Sequence, residues 1–300
     1  MCSAISDDDA ACSVLCTYDL PARNYCALSH RKPMMIHDRS DVATKIKPEV
    51  PHAARIWNYW MGGKDNFAAD RNAGDAVAKV YPEIVQMAVQ SRRFLIQAVR
   101  YLAAEAGVSQ FLDIGTGLPT MQNTHEVAQS IDPTARIVYV DNDPLVLVHA
   151  RALLRNTSPE GVTAYVDGDY HEPELIIAEA RKVLDFSKPI AVMFMGVLGY
   201  VEDLEVMRSI IERCMHAVPS DSYMVLWDGT ATGEAVAEGS DKLAESGAVP
   251  YYLRSLEELA GFFDGLHLVE PGLAPITQWR PEDETKAPSI DAYGGVARKP

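Results

Sequence analysis

Gln110-Phe111-Leu112-Asp113-Ile114-Gly115-Thr116-Gly117-Leu118-Pro119-Thr120 reads as a buried strand that breaks at two glycines into a tight turn and a helix start. Glycine in such a turn allows positive φ and lets backbone N–H groups approach a ligand with no Cβ in the way. Downstream, Ala135-Arg136-Ile137-Val138-Tyr139-Val140 is a second β-rich run, and it ends in Asp141-Asn142-Asp143. A glycine turn after one strand and an acid closing the next is the layout of a nucleotide site in a doubly wound sheet. The layout predicts a ligand with a ribose, whose two hydroxyls Asp141 is placed to accept.

Charge and spacing narrow the ligand further. A dinucleotide fingerprint wants a third glycine or alanine three residues after the second, and this chain has Thr120 there, behind Pro119. Predicted strand ends carry Asp113, Asp141, Asp143, Asp167 and Asp169, and such a rim would repel a pyrophosphate. S-adenosyl-L-methionine has a sulfonium, an ammonium and a ribose but no phosphate, and suits the rim best. An NAD(P)-dependent reductase is the disfavoured alternative.

Asp113-Ile114-Gly115-Thr116-Gly117 resembles the glycine-rich first motif of class I S-adenosylmethionine-dependent methyltransferases, and Val140-Asp141-Asn142-Asp143 resembles their acidic second motif. The run from Ala54 to Arg71, ARIWNYWMGGKDNFAADR, looks like the N-terminal signature of an actinobacterial methyltransferase family long catalogued as a domain of unknown function. Tyr139 to Leu154 and Ala292 to Pro300 are similar to that family too, and the likeness runs from about residue 45 to the end. It implies an α/β fold: a doubly wound, mainly parallel, seven-stranded Rossmann-like sheet closed by an antiparallel hairpin, with N-terminal capping helices. It also implies S-adenosyl-L-methionine as cofactor and S-adenosyl-L-homocysteine as product. By resemblance, Arg55 and Lys64 are candidates for the cofactor carboxylate, Tyr59 and Trp60 for the pocket lining, and Asp169, ahead of Asp167, for the adenine amino group. The plainer alternatives are core aromatics, solvated cations and aspartates that form turns.

Hydrophobic residues make up 48% of the 300, enough for one large core. The expected organisation is a loosely held extension over 1–48, a helical cap over 49–107 and a cofactor-binding Rossmann-like domain over 108–300. The extension's other reading is a lid or an oligomer contact. No run of about 18 apolar residues and no basic-then-apolar leader is visible, so a cytoplasmic protein with no membrane partner is expected. With 27 basic against 42 acidic residues, a net of −15, a nucleic-acid partner is disfavoured. Cys2, Cys12, Cys16 and Cys26 crowd the N-terminus, Cys214 lies in the body, and the odd total of 5 suggests reduced thiols. An iron–sulfur reading of Cys12-x-x-x-Cys16 lacks its third cysteine, since Asp19 stands there, and no metal site is expected.

Helical periodicity runs from His52 until Gly62-Gly63, then from Asn66 to Val80, from Glu83 to Ala106 and from Met121 to Ile131. Asp143-Pro144 reads as an N-cap with proline in the first turn, leaving Asp141 free for a ligand. The apolar run Pro189 to Met195 reads as a strand buried on both faces, opening into Gly196-Val197-Leu198-Gly199-Tyr200 at the crevice, so Thr116, Asn142, Gly196 and Val197 join the glycines as candidate cofactor contacts. His125 and His171, near strand ends, are the base candidates. The chain lacks an Asn-Pro-Pro-Tyr motif after the fourth strand, where Met195-Gly196-Val197-Leu198 sits. By elimination, and by the bacterial context that the family resemblance implies, the acceptor is expected to be a small, natural-product-like molecule, methylated on oxygen or nitrogen. A catalytically inactive cofactor-binding sensor is the competing class. The oligomeric state stays open, a homodimer included.

Overall fold

A computed structural model describes residues 46–119, 122–153, 157–281 and 290–300. The cysteine-bearing extension and Thr120 lie outside the described residues. Helices α1 (Ala53–Trp60), α2 (Ala68–Val80) and α3 (Glu83–Ala104) precede the sheet. Then follow β1 (Gln110–Ile114), α4 (Thr124–Ile131), β2 (Arg136–Asp141), α5 (Pro144–Leu153), β3 (Val162–Asp167), α6 (Pro173–Ala180), β4 (Ala191–Met195), α7 (Leu204–Ala217) and β5 (Tyr223–Gly229). The chain finishes with α8 (Glu234–Glu245), α9 (Leu256–Gly261), β6 (His267–Leu268), β7 (Ala274–Pro275) and β8 (Ala292–Arg298).

The strands form one sheet in the order β3-β2-β1-β4-β5-β8-β6. Strands β1 to β5 are parallel to their neighbours, and β8 runs antiparallel to β5, with Tyr223 opposite Arg298 and Gly229 opposite Ala292. The predicted doubly wound sheet is therefore present, with one strand more than expected: β7, two residues inside the long connection, pairs with β8 through Ala274 and Pro275. Strand order reverses between β1 and β4, and the carboxyl ends of those strands open the crevice where ligands of such sheets bind.

Alternation along the strands sets what faces what. Phe111 on β1, with Tyr139 and Met193 on its neighbours, packs under α1–α3, against Ile56, Phe94 and Leu102. Leu112 and Ile114 turn to the opposite layer, with Ile176, Met207 and Ile210. Asp113 shares the face of Phe111 and is thereby carried beneath α3 and α4.

Caps place the loops at the crevice. Asp143 Oδ1 accepts from the Leu145 N–H at 2.8 Å and starts α5 as expected. The helix predicted from Met121 begins at Thr124, because Asn123 and Glu126 form a reciprocal capping box there. At the end of α1 the Gly63 N–H donates to Asn58 O at 2.8 Å, and Gly62 has φ +79°. A Cβ on Gly63 would sit 2.3 Å from the buried Asn58 amide, whose Oδ1 accepts from the Asp65 N–H and Asn66 Nδ2 at 3.0 Å each. The Asn58-to-Asn66 part of the N-terminal signature is thus a folding motif for the α1–α2 turn.

Candidate functional site

The carboxyl ends of β1, β2 and β4 and the helices above them enclose a cavity of about 210 Å³. Asp113, Gly115, Thr116, Gly117, Asp141, Asn142, Gly196 and Val197, the candidate cofactor contacts named from sequence, all line it. Gly115 has φ +73°, and a Cβ there would lie 2.2 Å from Val197 Cγ2. The β1 and β4 loops interlock at that point with no room for a side chain.

The glycine turn differs from expectation in one respect. Its N–H groups do not point at the ligand space: those of Gly115 and Thr116 donate to Val140 O, at 2.8 and 3.2 Å, and that of Gly117 donates to Asp141 Oδ2 at 2.7 Å. Asp141 Oδ1 accepts from the Asp143 N–H at 2.9 Å. A phosphate needs donors in such a turn, and these are committed. A ribose needs acceptors, and Asp141 is a carboxylate locked by two backbone bonds with lone pairs left over. Burial pushes its pKa up against those two bonds.

Arg92 was not anticipated. It lines the cavity from α3, beside Ser91, and donates from Nη2 to Asn123 Oδ1 at 2.8 Å. A signal for it existed, since Ala88, Arg92, Leu95 and Val99 follow the buried stripe of α3, while the adjacent Arg93 is exposed. Below it, Asp113 Oδ2 accepts from Thr124 Oγ1 at 2.7 Å. Burial lifts the Asp113 carboxyl to about 6, against the Thr124 bond and the Arg92 charge. The cavity therefore has an acid and a cation at the β1–α3 end, an acid at the β2 end, and Gly168 and Tyr170 beyond it.

The N-terminal signature covers this cavity, with different side chains from those expected. His52, Ala53, Ala54, Trp57 and Met61 line it; Arg55, Tyr59 and Lys64 do not. Arg55 is buried as a strap, donating to Lys47 O and Val50 O at 3.2 and 3.1 Å, with Nε 3.5 Å from Asp143. His52 Nδ1 meets the same Asp143 at 2.8 Å, so α1 is tied to the loop that carries Asp141. Tyr59 turns outward and donates to Asp75 Oδ1 at 2.6 Å, Lys64 is exposed, and Trp60 is core, its Nε1 donating to Gly74 O at 3.2 Å.

Both base candidates and the adenine contact also need correction. His125 is buried on α4, its Nδ1 2.9 Å from the Tyr139 hydroxyl, which also accepts from the His125 backbone N–H; it is off the cavity wall and supports α4 on the sheet. His171 and Asp169 pair with each other at the surface, Nδ1 to Oδ1 at 2.7 Å, and Asp169 accepts from the His171 N–H. That closes a local turn and takes the Asp169 carboxylate away from the wall that Gly168 and Tyr170 line.

A model of the family described as S-adenosyl methyltransferase matches residues 39–300. The chain is 41% identical to a DUF574 family protein from Streptomyces avermitilis MA-4680, superposing on its crystal structure with a TM-score of 0.80 over 84% of this chain and 99% of that one. It is 37% identical to a provisionally assigned methyltransferase from Thermobifida fusca YX, with a TM-score of 0.77 over 84% of this chain and 96% of that one. No curated protein matches it. No helix among the described residues is long and apolar enough to cross a membrane. The glycine interlock, the locked Asp141 carboxylate and the turn without phosphate donors fit the cofactor that the family uses, and the chain belongs to the S-adenosyl methyltransferase family, enzymes whose methyl donor is S-adenosyl-L-methionine.

Proposed function

We infer that the enzyme methylates a small, natural-product-like acceptor on oxygen or nitrogen. Asp141 would hold the cofactor's ribose, Asn142, Gly168 and Tyr170 its adenine, and Asp113 with Arg92 its amino-acid end. The observation that carries this reading is the pairing of a buried carboxylate with a guanidinium at one end of the cavity, a match for an ammonium and a carboxylate on one carbon. When bound, the cofactor would supply an electrophilic methyl carbon to the acceptor's lone pair, the carbon–sulfur pair staying on sulfur and the acceptor's proton leaving to bulk water with the products. The chain's part is to align the reactants and exclude water, which the α1 roof and the Val197 and Trp227 walls do.

Arg92 gives the reading its direct test. Arg92→Met should weaken S-adenosylhomocysteine binding roughly tenfold to a hundredfold, since hydrogen bonds to charged groups are worth about 1.5–3 kcal/mol. Affinity for 5′-methylthioadenosine, which lacks the amino-acid carboxylate, should hold. Calorimetry with both ligands reads this, and equal losses for the two would remove Arg92 from the carboxylate.

The raised Asp113 carboxyl sets a pH dependence. Above about 6 it is ionised in the free protein and attracts the ligand ammonium. As pH falls through that value it takes up a proton, so S-adenosylhomocysteine affinity should fall by up to about tenfold per pH unit. Asp113→Asn should bind weakly at pH 7 and show a flatter profile down to pH 5. A flat wild-type profile by calorimetry would contradict this placement.

A further inference from the structure

We propose that Trp57, Tyr200 and Trp227 form a sulfonium site: their rings recognise the positive sulfur of S-adenosyl-L-methionine, so that the enzyme holds the charged donor more tightly than the neutral product. The proposal rests on the cofactor placement above. With the ribose assigned to Asp141 and the amino-acid end to Asp113 and Arg92, the sulfur that joins them is left to face the remaining wall, at the ends of β4 and β5. Trp57, Tyr200 and Trp227 line that wall.

Sequence and packing bring the three rings together. Ala53, Ala54, Trp57 and Met61 recur at helical spacing and form the cavity side of α1 and its last turn. Gly196 has φ +72°, and a Cβ there would sit 2.3 Å from the Trp227 ring, so the missing side chain is what lets Trp227 reach the cavity. The rings are also held in place. Trp57 Nε1 donates to the Tyr200 hydroxyl at 3.1 Å, the Trp57 and Trp227 ring centroids are 5.8 Å apart at an interplanar angle of 74°, and Tyr200 stands perpendicular to Tyr251 with centroids 4.9 Å apart.

The chemistry of this wall suits a sulfonium. Such a group spreads its charge over the attached carbons and has no N–H or O–H to donate, so, like a quaternary ammonium, it is recognised by aromatic rings rather than by hydrogen bonds. Burial pushes the Tyr200 hydroxyl above its usual range, so this residue is neutral and contributes a ring, not a counter-ion. Asp113 and Asp141 are engaged elsewhere, the first with Thr124 Oγ1 and the second with the Gly117 and Asp143 N–H groups. Once the methyl group has left, the sulfur is a neutral thioether and the attraction is lost. The site therefore favours exchange of spent product for fresh donor.

The test uses the full chain and two ligands that differ by one methyl group and one positive charge, S-adenosylmethionine and S-adenosylhomocysteine, each titrated by calorimetry. Wild type should bind the first roughly fivefold or more tightly than the second, within what a cation over desolvated rings supplies. Trp57→Leu should cut that ratio by about threefold or more, whereas Trp57→Phe, which loses the N–H but keeps a ring, should retain most of it. Thermal melts check that both variants are folded. Equal binding of the two ligands by wild type, an unchanged ratio in Trp57→Leu, or a Trp57→Phe ratio as low as that of Trp57→Leu would overturn the proposal. Arg92→Met separates this outcome from a failure of the cofactor placement, because both ligands carry the amino-acid carboxylate and should weaken alike. If Arg92→Met weakens neither, the placement itself falls; if it weakens both while Trp57→Leu leaves the ratio unchanged, only the sulfonium site is wrong.

Discussion

Gly115→Ala should abolish S-adenosylhomocysteine binding within the measurable range, whereas Gly117→Ala should retain most of it. Both residues have positive φ, +73° and +69°, and a side chain in that region costs about 1–2 kcal/mol. The environments differ. A Cβ at Gly117 meets nothing within 4 Å, but at Gly115 it would lie 2.2 Å from Val197 Cγ2 and 2.5 Å from Val197 Cβ. Neither contact can be met without moving the β4 loop, and overpacking of this kind adds about 1–3 kcal/mol. The displaced loop carries Gly196, whose own φ is +72° and whose missing Cβ is replaced by the Trp227 ring at 2.3 Å. One methyl group therefore shifts the turn, Val197 and the Trp227 wall together. Calorimetry with thermal melts as a fold control decides it; equal affinities for the two variants would show that the interlock does not shape the site.

Asp141→Ala should lower cofactor affinity by about a hundredfold or more. It removes the charge-assisted bonds to the ribose, worth about 1.5–3 kcal/mol each. It also strips the acceptor from the Gly117 and Asp143 N–H groups, which Asp141 now holds at 2.7 and 2.9 Å. Asp141→Asn keeps the shape and one acceptor, and should cost about tenfold or more. A 2′-deoxyribose analogue separates recognition from scaffolding. It should bind wild type poorly and lose little more on mutation, whereas a purely structural role would make both ligands lose affinity equally.

What could be read from sequence was local. The β1 turn, the acid after β2, the Asp143 cap and the Gly62 helix end each depend on a few neighbouring residues, and each stands where expected. The side chains that cover the cavity were not local. Arg55 is a buried cation and Arg92 a half-buried one, both on N-terminal helices, and only tertiary packing decides that Arg55 ties Lys47, Val50 and Asp143 together while Arg92 reaches the cavity. Trp57 and Trp60 stand one turn apart on α1 with ring centroids 5.4 Å apart, yet Trp57 belongs to the cavity wall and Trp60 to the core. His125 looked reactive because it follows the glycine turn. The fold instead buries it against Tyr139, a partner on β2 that no spacing rule within α4 could supply.

The most direct test of the account is a crystal structure of the full chain with S-adenosylhomocysteine. The account predicts both ribose hydroxyls about 2.6–3.2 Å from the Asp141 carboxylate, the amino-acid carboxylate on Arg92, and the sulfur facing Trp57 and Tyr200. A ribose bound away from Asp141, or an amino-acid end pointing to the surface at Tyr170, would contradict it.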